Sequence, residues 1–438
     1  MKPFKNKGLL SRVAPCVFVT ALLASIPSYL FLAACYGGQS FKAGTEISQT
    51  RTGAVESQRP VLISVAANLP AQARAGLGGH LDVMDLLTTN GLNLFGFSAT
   101  WSELEPAQGR IELQAMFRNP LTLVVPRYPQ LHGVVFVLKM IDTHDQTTPP
   151  DLEGRQFDDT DLLRRFDGLL DRLASEPAAM RVSHILLGNE IDGFLGRHLE
   201  QKEALLSFFQ HSAARLHVSM PWVRVGTIFT FDGMRGHPQL FDAFCEASDF
   251  VCYTYYPVTD LVRGNGSLTW QMRPAAQLTE DFRLMAARAG RKPFAFTEIG
   301  YSSSPLNGSS PDQQAGFVRA MFCELDPYRR EGRVEFVLYH MLHDYPAVFA
   351  GSYAARQGIN ASAEFRAFVE NLGLRKHSSG EPRPAWEAFT VGARSWIGGD
   401  ELPGDWCLHS TNKAVQRTGA SRFTQETNQT SSAAGSRR

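Results

Sequence analysis

The chain has 438 residues, with 43 Lys+Arg balanced by 43 Asp+Glu, 44% hydrophobic and 20% charged residues. That balance excludes the basic footprint of a nucleic-acid binder and any electrostatic pull toward an anionic membrane surface. The length admits two average domains or one large barrel, and the composition is that of a globular protein with enough apolar residues for a core.

In chain order, MKPFKNKGLLSR is basic and free of acids, and an apolar stretch follows from Val13 to Ala34. This is the layout of a secretory signal. The stretch closes in Leu32-Ala33-Ala34-Cys35, similar to a bacterial lipobox, which would make Cys35 the lipidated N-terminus of a membrane-anchored, exported lipoprotein. An ordinary cleaved signal or an uncleaved anchor, for which the stretch is long enough, are the alternatives; all three export the rest. Residues 36–58 are polar and without periodicity, a flexible tether. Residues 59–400 form the organised domain. From 401 to 438 a Ser-, Thr- and Gln-rich tail has too little apolar surface to fold alone. A monomer is expected. Outside the leader stand Cys245, Cys252, Cys323 and Cys407, without CxxC or zinc spacing. Cys245 and Cys252 are the closest pair, although Cys252 in a strand also reads as a small buried apolar residue; the pairing stays open.

Within 59–400, β-rich runs occur at 61–67, 92–99, 133–140, 183–189, 222–229, 249–256, 293–299 and 334–340. They are continuous hydrophobic runs, as parallel strands buried on both faces require. Helical patterns separate most of them. In DDTDLLRRFDGLLDRLASE, residues Leu162, Phe166, Leu169, Leu170 and Leu173 share one face, with acids at the N-terminus. Eight strands with intervening helices predict a single α/β domain, a (β/α)8 TIM barrel. An open doubly wound sheet is disfavoured, because no GxGxxG follows the first strand and no Walker sequence occurs.

In such a barrel the C-terminal strand ends carry the chemistry. The fourth strand runs out in Gly188-Asn189-Glu190 and the seventh in Thr297-Glu298-Ile299-Gly300. Two carboxylates on one rim suit glycosidic cleavage, one protonating the leaving oxygen and the other attacking the anomeric carbon. Retention needs them ~5–5.5 Å apart.

GNE after the fourth strand and TEIG at the seventh resemble the clan A retaining glycoside hydrolases, and GNEI with the Tyr255-Tyr256-Pro257 run is most similar to the family 53 endo-β-1,4-galactanases. The resemblance implies Glu190 as acid/base, Glu298 as nucleophile and Asn189 as ligand of the sugar 2-hydroxyl. It also implies a sixth-strand aromatic beside the nucleophile, for which Tyr253, Tyr255 and Tyr256 are candidates. TWSELEPAQGR (100–110) is similar to the W-x-x-x-EP-x-x-G pattern of other clan members, with Trp101 as a sugar platform or core residue and Glu105-Pro106 shaping the loop. The clan's arginine near strand two and tryptophan at strand eight are missing; FVLYHMLHDYP offers His340 instead, and Tyr301 follows the nucleophile. His340, His343 and Asp344 lack convergent metal-ligand spacing, so no metal or cofactor is expected. The implied function is retaining hydrolysis of β-glycosidic bonds in a poly- or oligosaccharide. A non-catalytic glycan-binding lipoprotein on the same barrel is the alternative.

Overall fold

The computed structural model describes residues 61–259, 269–356 and 362–407. The leader with Cys35, the tether at 36–58 and the tail from 408 lie outside the described residues. Among those described, no helix is long and apolar enough to cross a membrane.

Eight parallel strands form the barrel: β1 (Leu62–Val65), β2 (Leu94–Thr100), β3 (Gly133–Asp142), β4 (His184–Asn189), β5 (Arg224–Gly226 and Ile228–Thr230), β6 (Val251–Tyr255), β7 (Phe294–Ile299) and β8 (Val334–Tyr339). The ladder runs β2–β3–β4–β5 and β5–β6–β7–β8–β1. Thr227 interrupts β5, and its hydroxyl donates instead to the Leu187 carbonyl (2.7 Å). Between β1 and β2 Asn93 does the bonding, its N–H donating to the Ile63 carbonyl (3.2 Å) and its side chain adding two bonds. Its Oδ1 accepts from Ile63 N–H (3.0 Å) and its Nδ2 donates to the Val61 carbonyl (2.8 Å).

Each expected strand run is a strand, because alternate residues have two apolar places to go. Leu62, Leu94, Val135, Leu186, Ile228, Phe250, Cys252, Ala295, Phe336 and Leu338 fill the barrel interior. Their neighbours along the strands pack outward in the larger core under the helices. Seven regular outer helices follow: α1 (Leu77–Thr89), α2 (Thr160–Ala174), α3 (Lys202–Ser219), α4 (Pro238–Ala247), α5 (Leu278–Ala289), α6 (Pro311–Arg330) and α7 (Pro384–Gly398). In α2 the expected apolar face is buried, and Asp159 caps it by accepting from the N–H groups of Asp161 (2.9 Å) and Leu162 (3.1 Å). The crossover from β2 to β3 has one short α turn, Trp101–Leu104, and no long α-helix after it. Two π turns follow, Gln114–Arg118 and Pro120–Val124, then a 3₁₀ turn with Pro126, since each proline removes a backbone donor the α ladder needs.

The structure settles the cysteine pairing that the sequence left open. Cys323 in α6 is bonded to Cys407, 84 residues away, while Cys245 and Cys252 are free and buried. Cys252 points into the barrel as interior filling. The disulfide also holds to the body a stretch, 401–407, expected to belong to the tail.

Candidate active site

The C-terminal ends of β4 and β7 depart from regular strand geometry, and the departures aim the carboxylates. At β4, Gly188 has φ +81°, a conformation open to glycine, and a β-carbon there would sit 2.6 Å from Ile191 Cγ2. Glu190 then adopts φ 47°, ψ 49°, the left-handed region, before the short helix Ile191–Arg197. A non-glycine residue there costs about 1–3 kcal/mol, strain of the kind functional sites hold. At β7 a register shift sets Tyr253 opposite Phe296 but Thr254 opposite Glu298. This bulge brings both Thr297 and Glu298 onto the same cavity.

That cavity encloses about 760 Å³ and is lined at its floor by Lys139, Asn189, Glu298 and His340. The Tyr256 hydroxyl donates to Glu298 Oε2 (2.7 Å). Burial pushes the Glu298 carboxyl up to about 7, against the opposing pull of Tyr256 and of the Lys139 charge, with Asp142 adding to the rise. Lys139 pairs with Asp142 (3.4 Å), whose other oxygen accepts from Asn189 Nδ2 (3.1 Å). His340 shares a hydrogen bond between its Nε2 and the Tyr345 hydroxyl (3.1 Å), and burial with the nearby Lys139 lowers its pKa to about 3, so the ring is neutral.

Glu190 is placed differently from its partner. It has no exposed surface and is not part of the cavity wall. Thr254 donates to its Oε1 (2.7 Å) and Thr143, itself at φ 61°, to its Oε2 (2.9 Å). Burial and the Coulombic field of Glu298 raise its pKa well above the carboxylate range, with the two hydroxyls opposing. Asp192 is a brace. It accepts the Thr230 N–H (2.9 Å) and hydroxyl (2.7 Å), joining the helix after β4 to the end of β5.

Of the expected ligands, Asn189 and His340 are at the cavity and Tyr256 is on Glu298. Four are elsewhere. Tyr253 and Tyr255 alternate outward from β6 into the helical layer, where their hydroxyls donate to the Met285 carbonyl and to Asp281. Tyr301 stacks on Phe317 and donates to the Arg273 carbonyl. Trp101 is fully buried against Phe166, its Nε1–H donating to Glu105 Oε2 (2.9 Å). None of the four lines the cavity. Asp344 is engaged by Arg383 (2.7 and 2.8 Å) and His343 by Asn68. Sequence reasoning missed Lys139. Its signal was parity: Val135, Val137 and Lys139 share one face of β3, so a lysine stood in a run otherwise pointing inward.

No protein-family model and no curated protein matches the sequence. Solved structures do. A GH5_18 protein from Bifidobacterium longum subsp. infantis has a TM-score of 0.55 at 17% identity, over 77% of this chain and 79% of its own. The GH5_18 protein of Streptomyces cattleya, in complex with Manβ1-4GlcNAc, scores 0.53 at 16% identity, over 77% and 85%. An exo-β-1,4-mannosidase from Opitutaceae bacterium strain TAV5 scores 0.58 at 18%, over 78% and 60%. At these identities the likeness establishes the fold alone: the chain shares the (β/α)8 barrel of these proteins.

Proposed function

We propose that the protein hydrolyses β-glycosidic bonds with retention, Glu298 acting as nucleophile and Glu190 as acid/base. The observation that carries this is the pair of mutually repelling buried carboxylates at the ends of β4 and β7, one of them on the floor of the cavity. Two such groups resist ionising together. The more deeply buried, Glu190, keeps its proton, while the Tyr256 hydroxyl and Lys139 favour ionisation of Glu298. A Glu298 oxygen bonds to the anomeric carbon as the bond to the leaving oxygen breaks and Glu190 passes its proton to that oxygen. Glu190, then a base, takes a proton from water, which attacks the anomeric carbon and frees Glu298. Asn189, held by Asp142, is placed to bond a sugar hydroxyl. The neighbours that bind or cleave β-1,4-mannosides support testing β-mannosides first.

The burial of Glu190 between Thr143 and Thr254 favours a second reading, a barrel that binds glycan without cleaving it. Titrating manno-oligosaccharides and assaying new reducing ends on the same samples separates the two. Binding without turnover supports the second; turnover lost in Glu190→Gln and Glu298→Gln supports the first. A disulfide between Cys323 and Cys407 supports export, since such bonds persist in oxidising compartments. Lipidation at Cys35 is part of the same proposal.

A further inference from the structure

The cavity is chemically lopsided. At the strand ends it is lined by Glu298, Asn189, Lys139 and His340. From there it extends beneath the segment after β1 and the crossover after β2, along Leu69, Ala73, Phe97, Met116, Pro120 and Phe349. Polar groups on that side are partly spent within the protein. Asn68 bonds His343 through both ends of its amide (2.7 and 2.8 Å), and Arg74 is paired with Asp82. His80, Ser98, Tyr345 and His377 also line the cavity.

A second sugar in this apolar extension would bring several hydroxyls to a wall of methyl, thioether and ring carbons. Each buried hydroxyl left unpaired weakens binding about five- to a hundredfold. A polysaccharide chain is usually met by exposed aromatic faces, on which sugar C–H groups pack. Among the described residues the exposed large aromatic is Trp222, which precedes β5 and so stands at the opposite end of the barrel. The volume, about 760 Å³, falls within the range of pockets that enclose a whole small ligand, roughly 300–1,000 Å³.

We infer that the substrate is an amphiphilic glycoside, a single β-linked sugar attached to an alkyl or acyl chain that occupies the extension lined by Leu69, Ala73, Met116 and Phe349. This deepens the glycosidase reading and rests on it for the reaction, though not for the binding.

The test is calorimetric titration of the full chain carrying Glu298→Gln with n-butyl, n-hexyl and n-octyl β-D-mannosides, glucosides and galactosides, all below their micelle concentrations. In at least one sugar series, Kd is expected to tighten about fourfold per added methylene, equivalent to ~0.8 kcal/mol for each CH₂ buried. Met116→Glu and Ala73→Glu, both at partly exposed positions, should each flatten that series, with the melting temperature of the protein nearly unchanged. A Kd independent of chain length, tighter binding of phenyl than of hexyl glycoside, or no binding in any series overturns the inference. Chain-length dependence without hydrolysis by the wild-type protein would uphold the ligand class and remove the hydrolytic reading, so the two fail separately.

Discussion

At the scale of single residues, the site turns on how two buried carboxylates divide their protons. Burial brings Glu298 to about 7 and, with the charge of Glu298, holds Glu190 well above the ordinary carboxylate value, so the pair should titrate as a unit. The pH profile of kcat/KM is therefore expected to rise through about pH 7, as Glu298 ionises, and to fall at higher pH as Glu190 loses its proton. An ascending limb near the ordinary carboxylate value of about 4.5 would contradict this. Tyr256→Phe removes the donor on Glu298 Oε2, and with it a bond favouring the ionised form. The ascending limb should move upward, with kcat/KM lowered about tenfold or more and the melting temperature nearly unchanged. Stability has the opposite sign from activity. The folded state holds the Glu298 proton more tightly than the unfolded chain, so its contribution is full below about pH 4.5 and is lost as pH rises through about 7. Glu298→Gln should thus stabilise the protein at pH 8, by about 3 kcal/mol, and have little effect at pH 4.5. Equal denaturation midpoints at pH 8 would refute that.

At the scale of elements, Glu105 joins three pieces of chain. Its Oε1 accepts from Arg165 of α2 (2.7 and 3.0 Å) and from Gly109 N–H (2.8 Å), and its Oε2 from Trp101. Removing it leaves a buried guanidinium and indole N–H without these acceptors, so Glu105→Ala should cost about 3–5 kcal/mol. A loss under 1 kcal/mol in a denaturant titration would show that Asp151, the other partner of Arg165, suffices. The W-x-x-x-E spacing was visible in the sequence, but not its use: an indole four residues before a carboxylate serves a helical turn as readily as a sugar. Strand β6 shows the same limit. Tyr253, Tyr255 and Tyr256 read as equivalent until alternation is anchored by Phe250 and Cys252 filling the interior; then Tyr253 and Tyr255 must face the helices. The eight strands were legible because two-sided burial leaves an unbroken apolar run. The β7 bulge, the left-handed Glu190 and the Thr143–Thr254 clamp were not, since they arise where strands meet and no local pattern encodes them. Lys139 shows the reverse case, where strand parity alone pointed a lysine inward.

At the scale of the whole molecule, closure comes from different devices in different places. Asn93 bridges β1 and β2, while the Cys323–Cys407 bond ties the chain beyond α7 to α6. A cross-link spanning 84 residues restricts the unfolded chain strongly, about 4–5 kcal/mol on the chain-entropy account. Reduction should therefore lower the denaturation midpoint, and Cys323→Ser with Cys407→Ser should reproduce the loss without altering the pH profile. An unchanged midpoint after complete reduction would show that the segment contributes little. The strand ends, by contrast, hold the left-handed Glu190 and two buried carboxylates, strain and charge of the kind functional sites hold.

The central claim, that the carboxylates at the ends of β4 and β7 cleave a β-glycosidic bond, is tested most directly by assaying the full chain and its Glu190→Gln and Glu298→Gln variants on β-mannosides, glucosides and galactosides, with the anomer first released read by NMR. The account predicts release of the β-anomer by the wild-type protein and a loss of about a thousandfold or more in each variant. Release of the α-anomer, or full activity in Glu298→Gln, would contradict it.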